Sequence, residues 1–241
     1  MDRLELTQED ILNLKQMGSR FKILFITILI MIISLLVLTA AMASAFIARV
    51  TQGGVSEAEI ARMIYNLVIA ITSLSIIFSI ILMFLFFQIY QRRFPIQKVD
   101  EKVVYALLII ILYHILLIAQ SLLGITLLNY EKIKELVHEA IQSGVAPNME
   151  AIYPTWARII GYVLNIIYGI GLILLGLSFK AFSETFIDYK DLDTPSILTL
   201  LGGIFIMIPF ISIIGSILLI IAYYMFGSRL QKEIQIESEE G

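Results

Sequence analysis

No cysteine occurs anywhere in the chain, so disulfides, thiolate metal sites and thiol-held iron–sulfur clusters are excluded. Charge is scarce too, at 15% of residues against roughly 25% in soluble domains. The 17 basic and 20 acidic residues nearly cancel and form no basic stripe, so nucleic acid is not an expected partner. The sequence has no Walker loop, zinc-protease histidine pair or Rossmann fingerprint. No polar stretch is long enough to hold a catalytic domain. These absences leave no catalytic residues, no metal site and no cofactor to expect beyond one isolated candidate.

What is abundant is apolar: 59% of residues are hydrophobic, where soluble domains hold roughly 45–50%. Crossing a hydrocarbon core of ~30 Å takes ~20 apolar residues at 1.5 Å each. Five segments meet that test, from about Ile23 to Ala48, Met63 to Tyr90, Val103 to Leu128, Ile159 to Phe179 and Ser196 to Phe226. None holds an Asp, Glu, Lys or Arg. Backbone groups in lipid must be paired within their own segment, so each reads as a helix. The expected fold is an all-α polytopic transmembrane helix bundle, one membrane domain over residues 1–241, with lipids as its surroundings. The mixed-charge stretch from Met1 to Lys22 precedes an apolar run too long for a cleavable signal peptide.

The connections mark the boundaries. Ser56 and Glu59 have the spacing of a capping box ahead of the second span, and Gly53-Gly54 before it reads as a turn. Arg92-Arg93-Phe94-Pro95 ends that span, since the residue before proline disfavours helix. Asp193-Thr194-Pro195 and Tyr153-Pro154-Thr155 each read as a cap beside a proline opening a helix. Trp156, the only tryptophan, and nearby Tyr153 suit an interfacial aromatic belt.

Two further segments predict short surface helices. Between Glu131 and Gln142, Ile133, Leu136, Val137, Ala140 and Ile141 make one apolar stripe, ended by Ser143-Gly144 and Pro147. A solvent extension of the third span or a partner-contact helix are equal readings of this stretch. Thr7 can cap a second helix that carries Ile11, Leu12 and Leu14 and ends near Gly18. The segment 196–226 holds Gly202-Gly203, Pro209 and Gly215. The preferred reading is a single span kinked at Pro209; the alternative is a half-helix that breaks at Pro209-Phe210 and returns. The acidic tail, 233–241, is expected to be disordered. A Gln-x-Gly-Val element recurs at Gln52 and Gln142, too short to establish duplication.

Lys and Arg in short loops are retained on the cytoplasmic side. A cytoplasmic N-terminus with one fifth span places ten basic residues inside and seven outside; a returning segment shifts Arg229 and Lys232 and makes this twelve to five. His114 is the only ionisable side chain fully embedded in a span, the usual mark of an ion path, proton relay or ligand site. It could ligate haem or bond a quinone, but a lone polar residue in a span is more often a bridge to a neighbouring helix. Gln120 and Asn165 read the same way. Tyr113, Gln120 and Gly124 share one helix face, and Gly161, Asn165, Gly169 and Gly176 another, each fit for close interhelical packing or, less often, a lipid or quinone pocket. Small-residue pairs recur at Ala40 with Ser44 and at Ala41 with Ala45.

Three passages carry a resemblance. They are Ile11-Leu12-Asn13-Leu14-Lys15-Gln16-Met17-Gly18 at the start, Leu201-Gly202-Gly203-Ile204-Phe205-Ile206-Met207-Ile208-Pro209 and its continuation Ile214 to Tyr224, and the Ile-rich layout of the spans. In these the chain resembles uncharacterised multispanning membrane proteins of crenarchaea. That resemblance implies no activity, and Ile-rich usage of this kind often accompanies AT-rich or thermophilic archaeal genomes. The residues themselves point to a non-catalytic accessory or structural subunit of a larger membrane assembly, such as a respiratory complex, with other membrane subunits as partners. The alternatives are a carrier or binding protein for lipids or other apolar molecules, and a cytochrome or quinone-binding subunit that uses His114.

Overall fold

The computed structural model describes residues 6–51, 56–144 and 149–239, and these are all-α, without a strand. In chain order the helices are α1 (Gln8–Thr51), α2 (Glu57–Gln91), α3 (Phe94–Gln97), α4 (Lys102–Leu127), α5 (Tyr130–Ser143), α6 (Thr155–Thr185), α7 (Asp193–Ile206) and α8 (Ser212–Glu239). Short 3-10 turns at Met149–Ile152, Ile187–Leu192 and Pro209–Ile211 join some of them. Five helices are long and apolar enough to cross a bilayer, including Pro209–Gln231 near the C-terminus. The protein is a multi-pass membrane protein whose helices contact lipid. The elements expected at 52–55, and Val145 and Pro147, lie outside the described residues.

The chain divides into two compact units. The first comprises Met1–Ile28, Ile80–Leu116 and Tyr162–Gly241; the second comprises Leu29–Ser79 and Leu117–Gly161.

The first unit has a dense core. Leu14, Met17, Phe21 and Leu24 recur at three- and four-residue steps along α1, so all four point one way and are fully buried. Phe21 lies against Phe179, Tyr223 and Phe226, with ring centroids 5.8, 5.8 and 5.1 Å away. Thr7 and Asp10 cap α1 reciprocally: the Thr7 amide donates to Asp10 Oδ2 at 2.8 Å and the Asp10 amide to Thr7 Oγ1 at 3.2 Å. The helix does not end at Gly18, as its sequence had suggested, but runs on to Thr51. A Cβ at Gly18 would lie 2.8 Å from Leu230 Cβ, so this glycine serves the approach of α8 and not a helix terminus.

The segment 196–226 departs furthest from the single kinked span. α7 stops at Ile206, Ile208 is extended, and α8 packs back along α7. Pro209 therefore opens the turn that follows the break and is not a kink inside one helix. Two glycines make the close pairing: a Cβ on Gly215 would lie 2.8 Å from the Gly202 carbonyl oxygen, and one on Gly202 would lie 2.9 Å from Leu219. No continuous helix could bring residues 13 apart together, since its rise of 1.5 Å per residue separates them by about 20 Å. Asp193 does not act as a side-chain cap either. A 3-10 turn runs straight into α7, whose N-cap position is Leu192. The acidic tail extends α8 as far as Glu239 instead of lying outside regular structure.

The second unit has a smaller core. Ile133 and Val137 of α5 pack with Ala61 of α2, Leu128 and Ile152. Thus α5, expected to lie on a surface, covers the start of α2 with its apolar stripe. Asn129 caps it by accepting from the amides of Glu131 and Lys132, and Gly144, at φ 68°, ends it in the left-handed geometry that a glycine adopts freely. The Tyr130 hydroxyl donates to the Ala58 carbonyl at 3.0 Å, and His138 Nδ1 lies 2.9 Å from Glu57 Oε2. The Ser56–Glu59 box closes as its spacing predicts, with the Ser56 amide 3.0 Å from Glu59 Oε2 and the Glu59 amide 3.3 Å from Ser56 Oγ. Residues 29–45 of α1 contribute no buried side chain to either core.

Candidate functional site

His114 lies in the first unit, 3% exposed, on α4. Its ring stacks on Phe86 at 5.8 Å and meets Tyr113 and Tyr168 edge-on at 5.0 and 5.9 Å. Neither ring nitrogen has a hydrogen-bond partner among the described residues. His114 thus makes no interhelical hydrogen bond among the described residues and packs among aromatic rings instead. Around it, Tyr113 and Tyr168 stack at 4.3 Å, and the buried Tyr223 hydroxyl has no hydrogen-bond partner among the described residues.

The small residues singled out on α6 face two different neighbours. A Cβ on Gly169 would lie 2.6 Å from the Gly203 carbonyl oxygen, and one on Gly176 would lie 2.8 Å from that of Ser196. These two positions hold α6 against α7. Gly161 instead faces α4 of the second unit, where a Cβ would lie 3.1 Å from Gln120 Nε2. Asn165 belongs to the first unit, is half-buried, and makes no hydrogen bond among the described residues.

Gln120 is the residue around which a cavity forms, and neither His114 nor Asn165 lines it. The cavity measures about 330 Å³ and lies wholly in the second unit. Thr72 of α2, Gln120, Gly124 and Leu127 of α4, and Tyr153 and Trp156 at the entry to α6 contribute to its wall. Gln120 Nε2 donates to the Ala157 carbonyl at 3.2 Å, which ties α4 to the first turn of α6. Burial pushes the Tyr153 phenol above its ordinary pKa, against a smaller opposing pull from the Thr72 hydroxyl, so it remains a neutral polar group at the rim. Sequence reasoning reached Gln120, Gly124 and Gly161 but missed Thr72, and it read Tyr153 and Trp156 only as belt residues. The i, i+3 order Tyr153-Pro154-Thr155-Trp156 was the available signal: it places two aromatics at a helix start that α4 also passes.

A second polar constellation occupies one end of the first unit. Asp10, almost wholly buried, receives the Lys98 ammonium at 2.7 Å, and Asp100 accepts from Ser178 at 3.1 Å. In the same unit Lys180, Glu184, Lys190, Asp191, Asp193 and Arg229 line an open depression. No spacing rule links Asp10 to Lys98 across 88 positions, although Thr7 and Asp10 do have cap spacing.

No curated protein and no solved structure matches the chain. The family model described as Protein of unknown function (DUF973) matches residues 10–240, nearly the whole length. The chain belongs to the DUF973 family.

Proposed function

We propose that the protein is a non-catalytic accessory or structural subunit of a larger assembly in the cell membrane. One observation carries this reading: the part of α1 from 29 to 45 has no buried residue. Exposed apolar side chains alone would only mean lipid contact, because lipid tails are as apolar as leucine. The informative feature is which residues are exposed. Ala40, Ala41, Ser44 and Ala45 lie bare next to Leu36 and Val37, which are 65% and 62% exposed. Rows of small residues let helix backbones approach closely, and interfaces between membrane helices are enriched in them. The Ser44 hydroxyl bonds its own helix at the Ala40 carbonyl, 2.9 Å away, so it needs no outside partner.

The hairpin of α7 and α8 supports a cytoplasmic N-terminus. Leu230 and Gln231 lie against Gly18 and Lys22, so the end of α8 returns to the start of α1. A cytoplasmic N-terminus then puts Arg229 and Lys232 in the inside set and gives the twelve-to-five distribution that the basic-residue bias favours. The likeness to crenarchaeal membrane proteins and the Ile-rich spans support an archaeal, thermophilic source.

Purification of the intact protein from its native membrane in mild detergent tests the assignment. Companion membrane subunits should co-purify with it and be lost when Ala41 and Ala45 are both replaced by Leu. A stable monomer that carries no other chain would overturn it. For the orientation, the chain's lack of cysteine allows single-cysteine labelling: Gln16→Cys and Ser228→Cys should react with an impermeant maleimide from the same, cytoplasmic face.

A further inference from the structure

The cavity around Gln120 lies in a different unit from the dense core, and only part of its polar lining is used in holding helices together. It is at the low end of the ~300–1,000 Å³ typical of ligand pockets. That is room for a headgroup and not for a long chain. Leu123, Leu127 and Ile160 supply apolar wall, whereas Thr72, Gln120, Ser121 and the Arg158 guanidinium supply polar groups. Trp156 and Tyr153 stand where α6 begins, the position at which amphipathic rings mark the membrane interface.

The chemistry of Gln120 narrows the ligand. Its amide has two N–H donors and one carbonyl acceptor. One N–H is used on the Ala157 carbonyl, and the rest of the amide has no partner among the described residues. The Ser121 hydroxyl beside it likewise makes no hydrogen bond among them. Leaving such groups unpaired inside a membrane helix is costly, and a bound acceptor would relieve it. Glycine at 124 and 161 keeps the space open: a Cβ at 161 would press on the Gln120 amide, and one at 124 would face the Tyr153 ring at 3.7 Å.

We infer that the Gln120 cavity binds the carbonyl-bearing head of an amphiphile, taken in beside the Trp156 indole, while its long apolar chain stays outside the cavity in lipid. The head is a planar quinone ring or the ester group of an acyl lipid. Both present a carbonyl acceptor to the free Gln120 N–H, and both fit a site too small for the tail.

Trp156 is the only tryptophan, so selectively excited tryptophan fluorescence reports on the wall of this cavity. The full chain in dodecylmaltoside micelles is titrated with a decyl-benzoquinone, a contact quencher of indole. Saturable quenching is expected, weakened about tenfold, or roughly 1.4 kcal/mol, in Gln120→Leu. Gly124→Ile provides a second variant, since a Cβ there makes only ordinary contact while the added methyl groups fill the cavity; it should weaken binding at least as much. Monoolein, which does not quench, is then added as a competitor. Restored fluorescence identifies an ester carbonyl as an accepted head, and unrestored fluorescence identifies the quinone ring. Quenching that rises linearly with quinone and is the same in a folded Gln120→Leu or Gly124→Ile protein is mere micelle partition and overturns the site.

Discussion

The two units are built from overlapping helices but to different standards. In the first, side chains from α1, α2, α4, α6, α7 and α8 join one aromatic-rich cluster, and glycines bring backbones into contact. In the second, five buried residues make the core, a cavity stays open, and a stretch of α1 is left bare. Since lipid offers no hydrophobic drive for helix association, the first unit must be held by packing and aromatic contact. The difference teaches where each task falls: the first unit secures the architecture, and the second holds the surfaces left over for something else.

The comparison can be broken most severely at the hairpin. Gly215→Leu should cost more than about 4 kcal/mol, because its side chain would enter the Gly202 backbone. Fluorescence-detected size exclusion should then find little monodisperse protein. Phe21→Ala should come next, at about 3–4 kcal/mol, by opening a cavity among Phe179, Tyr223 and Phe226. Thermal unfolding in detergent would read this as a marked fall in Tm. In the second unit Tyr130→Phe removes one hydrogen bond to Ala58 and should cost only about 0.5–1.5 kcal/mol. Ala41→Leu, on the bare part of α1, should change stability by less than about 0.5 kcal/mol. Equal losses from Phe21→Ala and Ala41→Leu would erase the distinction.

Much of the fold was legible in the residues, because the bilayer restricts what an uncharged run can be. Ser56 and Glu59 close the box their spacing predicts, and α2 ends before Arg92-Arg93-Phe94-Pro95 as expected. What remained illegible depends on partners distant in sequence. Gly18 has the composition of a helix end, and only Leu230 reveals it as a contact. The run 196–226 is equally apolar whether it crosses once or folds back, so hydropathy could not separate the two. Its basic flank, Arg229 and Lys232, held the better signal. For the cavity, Gln120 and Gly124 were visible on one face, but Thr72 and Trp156 arrive from other helices.

The short α7 also constrains how the protein is made. At 14 residues, about 21 Å, it falls below the ~20 residues needed to cross the hydrocarbon core. Its Gly202 becomes complementary to something only once Gly215 has left the ribosome. The pairing surface of this end is thus complete only after both arms have been synthesised.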